Sequence, residues 1–198
     1  MLFFVHGRDV PGFDWDSDEL NEAHWSYMDK WAGALIARGP TLSVDGSMHT
    51  GSVHIIDLCD GAAARRFAFE EPYYLAGLYE EVTVQPFASS LDGTMWDRPS
   101  ATADQPATLL LATWTEVAFE PDIAEELRNA FASAEAGPWI FAGALLSDDS
   151  TTVRGLAAAV DLGPSEAEGL LRAAIAQVLA SPGEVHWHCW ARGGRPTE

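Results

Sequence analysis

Basic residues are scarce in this chain. Of its 198 residues, 11 are Lys or Arg against 30 Asp or Glu, a formal net charge of −19 with neutral histidines. Such a surface repels nucleic-acid backbones and anionic membranes, so neither is expected as a partner. It says little about small substrates, whose site carries a local field of its own. Cysteine is nearly absent as well. Cys59 and Cys189 form neither a CxxC pair nor a disulfide framework. No apolar run approaches the roughly 18 residues that span a bilayer. The opening MLFFVHGRDV lacks the basic region and the length of a signal peptide. A cytoplasmic location is the expectation. Also missing are GxGxxG, the P-loop pattern and GxSxG. Dinucleotide-fold oxidoreductases, P-loop enzymes and α/β-hydrolases thereby lose their main sequence support.

What is present is apolar. Hydrophobic residues make up 47% of the chain and eight of them are tryptophans, enough to bury a real core. The length suits one large domain or two of about 100 residues. Leu2–His6 reads as a buried strand. Asp16 and Glu19 have the spacing of a capping box. From there Leu20, His24, Tyr27, Met28, Trp31 and Leu35 form one stripe of an amphipathic helix, with Gly39-Pro40 as its stop. Thr41–Asp45 and Gly51–Leu58 read as two strands joined by a turn. Ala62–Phe69 is helical up to Pro72, and Glu80–Phe87 alternates as a strand. This order is βαββαβ, the ferredoxin-like split unit.

Residues 88–106 interrupt the pattern. They are rich in Ser, Asp, Pro and Ala and read as a linker, with Trp96 as a residue able to pin it. The same order then returns: a strand over Thr108–Thr115, a helix from Pro121 to a Gly137-Pro138 stop, a hairpin of Trp139–Leu146 and Thr151–Leu162, a helix from Pro164, and a strand over Glu184–Arg192. The expected fold class is α+β, two tandem ferredoxin-like units (1–87 and 107–198) whose sheets face each other as an intrachain pseudo-dimeric α/β barrel. The fused second unit already covers the sheet, so a homodimer of the whole chain is compatible with this fold but not required.

The first half resembles the YCII-related family of dimeric α/β-barrel proteins. The resemblance rests on the opening strand, EAHWSYMDKW, ARGPTLSVDG, HTGSVHIIDL and EPYYLAGLYEEVTVQPF, over residues 1–87. The second half resembles it in outline only, through FAGALLSDDSTTVRG. The resemblance implies an acid–base pair with the histidine on the first helix and the aspartate after the Gly-Pro turn, here His24 and Asp45. Some family members are dechlorinating lyases of hydroxylated aromatic rings, and others belong to natural-product pathways.

The residues allow this chemistry without requiring it. Imidazole, with a reference pKa of about 6.5, takes and returns a proton near neutral pH. A histidine on an apolar stripe is equally at home as a core residue. Asp45-Gly46 is ordinary turn chemistry. Gly51 and Ser52 offer a backbone N–H and a hydroxyl to a substrate oxygen, or simply begin a strand. Tyr73 and Tyr79 line a pocket or fill a core. Trp25 points some 100° from His24 around the helix and need not share its pocket. His6, His49 and His54 match no zinc spacing, and no metal or cofactor is expected. His186 and His188 share a sheet face with Trp190. The leading expectation is a cofactor-independent lyase, dehydratase or isomerase acting on a small cyclic or aromatic metabolite. A non-catalytic small-molecule binding or assembly protein, or a cofactor-free oxygenase, are the alternatives. No histidine occurs between His54 and His186, so one site per chain is expected, in the first half.

Overall fold

The computed structural model describes residues 1–12, 17–98, 106–133, 139–176, 178–179 and 184–194. The first unit contains β1 (Leu2–Asp9), α1 (Asp18–Asp29), β2 (Leu35–Leu42), β3 (His49–Asp57), α2 (Gly61–Phe69), the single turn α3 (Pro72–Leu75) and β4 (Tyr79–Ser89). The second contains β5 (Ala107–Ala118), α4 (Pro121–Ala132), β6 (Trp139–Leu146), β7 (Thr152–Val160), α5 (Pro164–Ile175) and β8 (Val185–Trp190). Each unit is a ferredoxin-like antiparallel sheet, ordered β4-β1-β3-β2 and β8-β5-β7-β6, and the two close into one barrel.

Two short seams make the closure. At one, Thr41 pairs with Trp190 and Leu42 with Cys189; at the other, Phe87, Ala88 and Ser89 pair with Leu145, Ala144 and Gly143. A glycine sits at each. A side-chain carbon on Gly39 would lie 1.9 Å from the Ala191 carbonyl oxygen, and one on Gly143 would lie 2.3 Å from that of Ala88. Neither seam could close over a larger residue.

Strand alternation sends every second side chain inward. Phe4, Val53, Ile55, Leu109, Phe141, Ala157, Ala159 and Trp190 fill the barrel, with Phe141 packed edge-on against the Trp190 ring. The opposite faces bury Phe3, Val5 and Ile56 under α1 and α2, and Leu110, Leu156 and Val160 under α4 and α5.

Several boundaries differ from the sequence reading. Helix α1 ends at Asp29, and Leu35 through Gly39-Pro40 is strand rather than the helix's last turn and stop. The reason is visible in burial, which alternates residue by residue along β2. Ser17 caps α1, accepting from the Leu20 amide; Asp16 lies outside the described residues. Pro72 does not merely end α2; it opens α3 behind Glu71, which caps it. The Gly137-Pro138 stop also lies outside the described residues. Within the connection between the units it is Met95, not Trp96, that is anchored: Met95 is buried in the barrel cluster, whereas Trp96 is 53% exposed. Residues 99–105 of that connection are not among those described.

Candidate active site

A cavity of about 310 Å³ opens between the outer face of the first sheet and the helices above it. Helix α1 contributes Asn21, His24 and Trp25, β2 contributes Arg38, Gly39 and Pro40, and α3 contributes Tyr73. His49, Ser52 and His54 line it from β3, and Gly193-Gly194 close it from the chain that follows β8. The volume is at the small end of ligand pockets, which run roughly 300–1,000 Å³. The last wall comes from the second unit. The Ala191 and Gly193 amides donate to the carbonyls of Pro40 and Arg38, so the tail lies along β2. Arg192 holds it there through Asp161 and the Met95 carbonyl.

His24 is fixed from two sides. Its Nδ1 lies 2.5 Å from Glu71 Oε1. The other Glu71 oxygen, Oε2, accepts from the Tyr74 amide at 3.0 Å. The Tyr73 ring stacks on the imidazole, centroids 4.0 Å apart and planes within 10°. Glu71 is 3% exposed, and a carboxylate can only accept, so the neutral imidazole carries its hydrogen on Nδ1. Nε2 is then an unprotonated lone pair. That is the state a general base needs.

His24 therefore has a different carboxylate from the expected one. Asp45 sits in the turn between β2 and β3 and spends its Oδ1 on the Ser43 hydroxyl and on the hydroxyl and amide of Ser47. Those hydrogen bonds hold its carboxyl down at about 2. Glu71 carries the local signature of a cap, a carboxylate just before a proline at the first helical position, and nothing that marks it as a partner for a histidine.

The remaining expected residues divide. Ser52 and Tyr73 are among the residues that line the cavity; Gly51 and Tyr79 are not. Tyr79 OH shares a 2.7 Å hydrogen bond with Ser52 Oγ, fixing that hydroxyl. Burial, then the charge of Glu71, pushes the Tyr79 phenol well above its usual range. Tyr73 is raised for the same reasons, with Asp9 adding to them, and donates to Asn21 Oδ1 at 2.8 Å. Both phenols stay neutral. Gly51 is there for packing, since a side-chain carbon would stand 2.3 Å from the Gly7 carbonyl oxygen. Trp25, set aside on helical-wheel grounds, does line the cavity.

Of His6, His49 and His54, the last two line the cavity and His6 does not. His54 lies beneath His24, ring centroids 6.4 Å apart, and burial, then the nearby His24 and Arg38, lower its pKa well below 6.5. His6 points into the barrel toward His188, centroids 5.8 Å apart. His49 pairs with Asp9 at 2.8 Å. Among the described residues no three His, Cys, Asp or Glu side chains gather as metal ligands would.

Two ferredoxin-like sheets closed around one core, with a pocket on the outer face of one of them, define a class: a dimeric α/β-barrel protein carrying both protomers on one chain. Residues 1–88 match the family model of the YCII-related domain. Solved structures extend the likeness of fold to the whole chain. One is a putative monooxygenase from Lactobacillus acidophilus NCFM, 11% identical, covering 96% of this chain and 93% of that one, TM-score 0.54. Another is a mutant chlorite dismutase from Candidatus Nitrospira defluvii in complex with cyanide, 10% identical over 96% of this chain and 90% of that one, TM-score 0.52. The 5-chloro-2-hydroxyhydroquinone dehydrochlorinase from Burkholderia phenoliruptrix AC1100, in complex with 2,5-dihydroxybenzoquinone, is 27% identical over 43% of this chain and 92% of its own, TM-score 0.40. No curated protein matches the chain by sequence.

Proposed function

We propose that the first half is a general acid–base catalyst that removes a proton from a carbon beside a carbonyl in a small metabolite. The observation that carries this is the His24–Glu71 hydrogen bond beneath the Tyr73 ring, at the wall of a 310 Å³ cavity. His24 Nε2 takes the proton. Glu71 holds the ring and stabilises the imidazolium that forms. Arg38 lines the same cavity, and its positive charge favours the enolate oxygen. Ser52, positioned by Tyr79, offers a hydroxyl to the substrate, and Tyr73 supplies a flat apolar wall. This local field lets an anion form in a chain whose net charge is −19. Lyase, dehydratase and isomerase chemistry all begin with this step.

The second half acts as scaffold, completing the barrel and supplying the Gly193-Gly194 wall. The test is solvent deuterium exchange at the acidic carbon of enolisable cyclic ketones, followed by NMR. His24→Ala should slow exchange by roughly 10²–10⁴, the usual size of a general-base contribution. Equal exchange with and without His24 would overturn the proposal.

A further inference from the structure

The cavity is lined by a second imidazole held by a second buried carboxylate. His49 opens β3 and Asp9 ends β1, so the barrel's own strand pairing brings them together, with Nδ1 of His49 2.8 Å from Asp9 Oδ2. The His49 ring is 22% exposed and the Asp9 carboxylate 5%. As with His24, the carboxylate occupies Nδ1, so the proton exchanged with a ligand is the one on Nε2. The two carboxylates differ in what else they hold. Glu71 divides its charge between His24 and the Tyr74 amide. Asp9 has one oxygen on His49, while its other, Oδ1, is buried with no hydrogen-bond partner among the described residues. The Asp9 side chain therefore directs its hydrogen bonding at His49, and that bond sets the orientation of the ring. Among the described residues, the groups near this pair include the phenols of Tyr73 and Tyr79, both held neutral, with Arg38 and His24 on the other walls of the cavity.

We propose that His49, positioned by Asp9, is the general acid that complements His24, and that the substrate is a β-hydroxy carbonyl compound that loses water. This rests on the base role of His24 given above. A halide departs as a weak base and needs no proton, so a single imidazole would suffice for it. Hydroxide leaves only when protonated, and a second imidazole in the same cavity supplies that proton. In the step, His24 Nε2 takes the proton from the carbon beside the carbonyl and the C–H electron pair becomes the new C=C bond. The C–O bond breaks with its pair on oxygen, and the Nε2 proton of His49 joins that oxygen to form water. His24 ends protonated and His49 neutral, and solvent at the cavity mouth returns a proton from one to the other. No oxidant or reductant is consumed.

The experiment compares 3-hydroxycyclohexanone with 3-chlorocyclohexanone, which eliminate to the same 2-cyclohexenone, and follows deuterium entry at C2 of both. His49→Gln should lower the ratio of water loss to chloride loss, and of water loss to C2 exchange, by roughly 10²–10⁴. Asp9→Asn should lower both ratios less. His24→Gln should abolish exchange and both eliminations together. A His49→Gln enzyme whose two eliminations fall in parallel, or not at all, overturns the acid role while leaving His24 as the base. A His24→Gln enzyme that still exchanges at C2 overturns the base, and with it this inference. If neither ketone reacts, imidazole ¹⁵N spectra of the free protein decide. The His49 resonances should show hydrogen on Nδ1 and respond to Asp9→Asn but not to Glu71→Gln; a His49 spectrum indifferent to Asp9→Asn overturns the proposal.

Discussion

The β2–β3 turn and the β6–β7 turn are built alike. In the first, Ser43 and Ser47 donate to Asp45; in the second, Ser147 and Thr151 donate to Asp149, and in each the first serine accepts from a backbone amide, that of Met48 or Thr152. Both aspartates are held at about 2 by the same hydrogen bonds. The second turn serves a half with no histidine on its first helix, so turn geometry alone accounts for the motif. What separates the halves lies one layer away, on the sheet face beneath the helices. In the second half that face is filled by Leu110, Leu127, Phe131, Leu156, Ala158, Val160 and Leu171, a closed apolar core. In the first half, Ser52, His54, Asp9 and Glu71 are buried at the corresponding level beside Phe3, Val5 and Ile56, and a cavity replaces part of the packing. One half fills this level with apolar side chains, and the other opens part of it as a cavity.

Exchanging carboxylates for amides breaks this comparison most directly. Glu71→Gln should reduce His24-dependent proton exchange by roughly 10²–10⁴, because an amide no longer enforces the tautomer or supports the imidazolium. Restoration by Glu71→Asp, even in part, would mark the effect as one of positioning. Next in size is Trp190→Ala. This side chain is fully buried inside the barrel, and its Nε1 donates to the Gly39 carbonyl at 3.2 Å. Its loss should cost about 3–5 kcal/mol in denaturant unfolding. Both halves should be weakened together, whereas destabilisation confined to the second half would show that they stand apart.

Acid should also act through the interior histidines. His6 is lowered to about 4 by burial, then by His188 and Arg8, so it is neutral when folded. Below its ordinary value of 6.5 the unfolded chain binds a proton that the folded chain refuses. Stability is therefore complete above pH 6.5 and declines as pH falls toward 4, by at most about 3 kcal/mol from this residue. His54, also lowered, adds in the same direction. His6→Gln should flatten the decline measured by urea unfolding at a series of pH values. The smallest effects belong to the twin turns: Asp45→Asn and Asp149→Asn should match each other in their slight loss of stability and leave exchange at wild-type rates. A loss of exchange confined to Asp45→Asn would return that residue to the site.

How much of this is legible in the chain depends on how far apart the interacting residues lie. The repeated βαββαβ order and the faces of most strands follow from local periodicity, and the structure has them. Strand β2 escapes a local reading because Gly39-Pro40 is a stop signal by every local rule. Its tolerance within a strand depends on Ala191 and Gly193, which lie some 150 residues onward and dock on the backbone of Arg38–Pro40. The partner of His24 escapes for a similar reason, since Glu71 is 47 residues away and carries no histidine-specific pattern. The Asp9–His49 pair, 40 residues apart, depends on strand pairing across the β1–β3 ladder. Trp25 misleads because the helical wheel assumes one buried face, while here the tail after β8 walls in α1 from a second side.

The tail that completes the pocket has a kinetic consequence. The Trp190–Gly39 hydrogen bond closes a loop spanning 151 residues, and the seam around it has only two paired residues on each strand. Contacts of such long sequence separation are slow to form, because the chain entropy is lost before the contact repays it. The ferredoxin-like unit that owns His24 and Glu71 can therefore fold early, while its binding cavity acquires its last wall late. A molecule bound between α1 and Gly193-Gly194 would join the two ends of that slow step. It would act as a clasp on the barrel, raising the melting temperature in proportion to its occupancy.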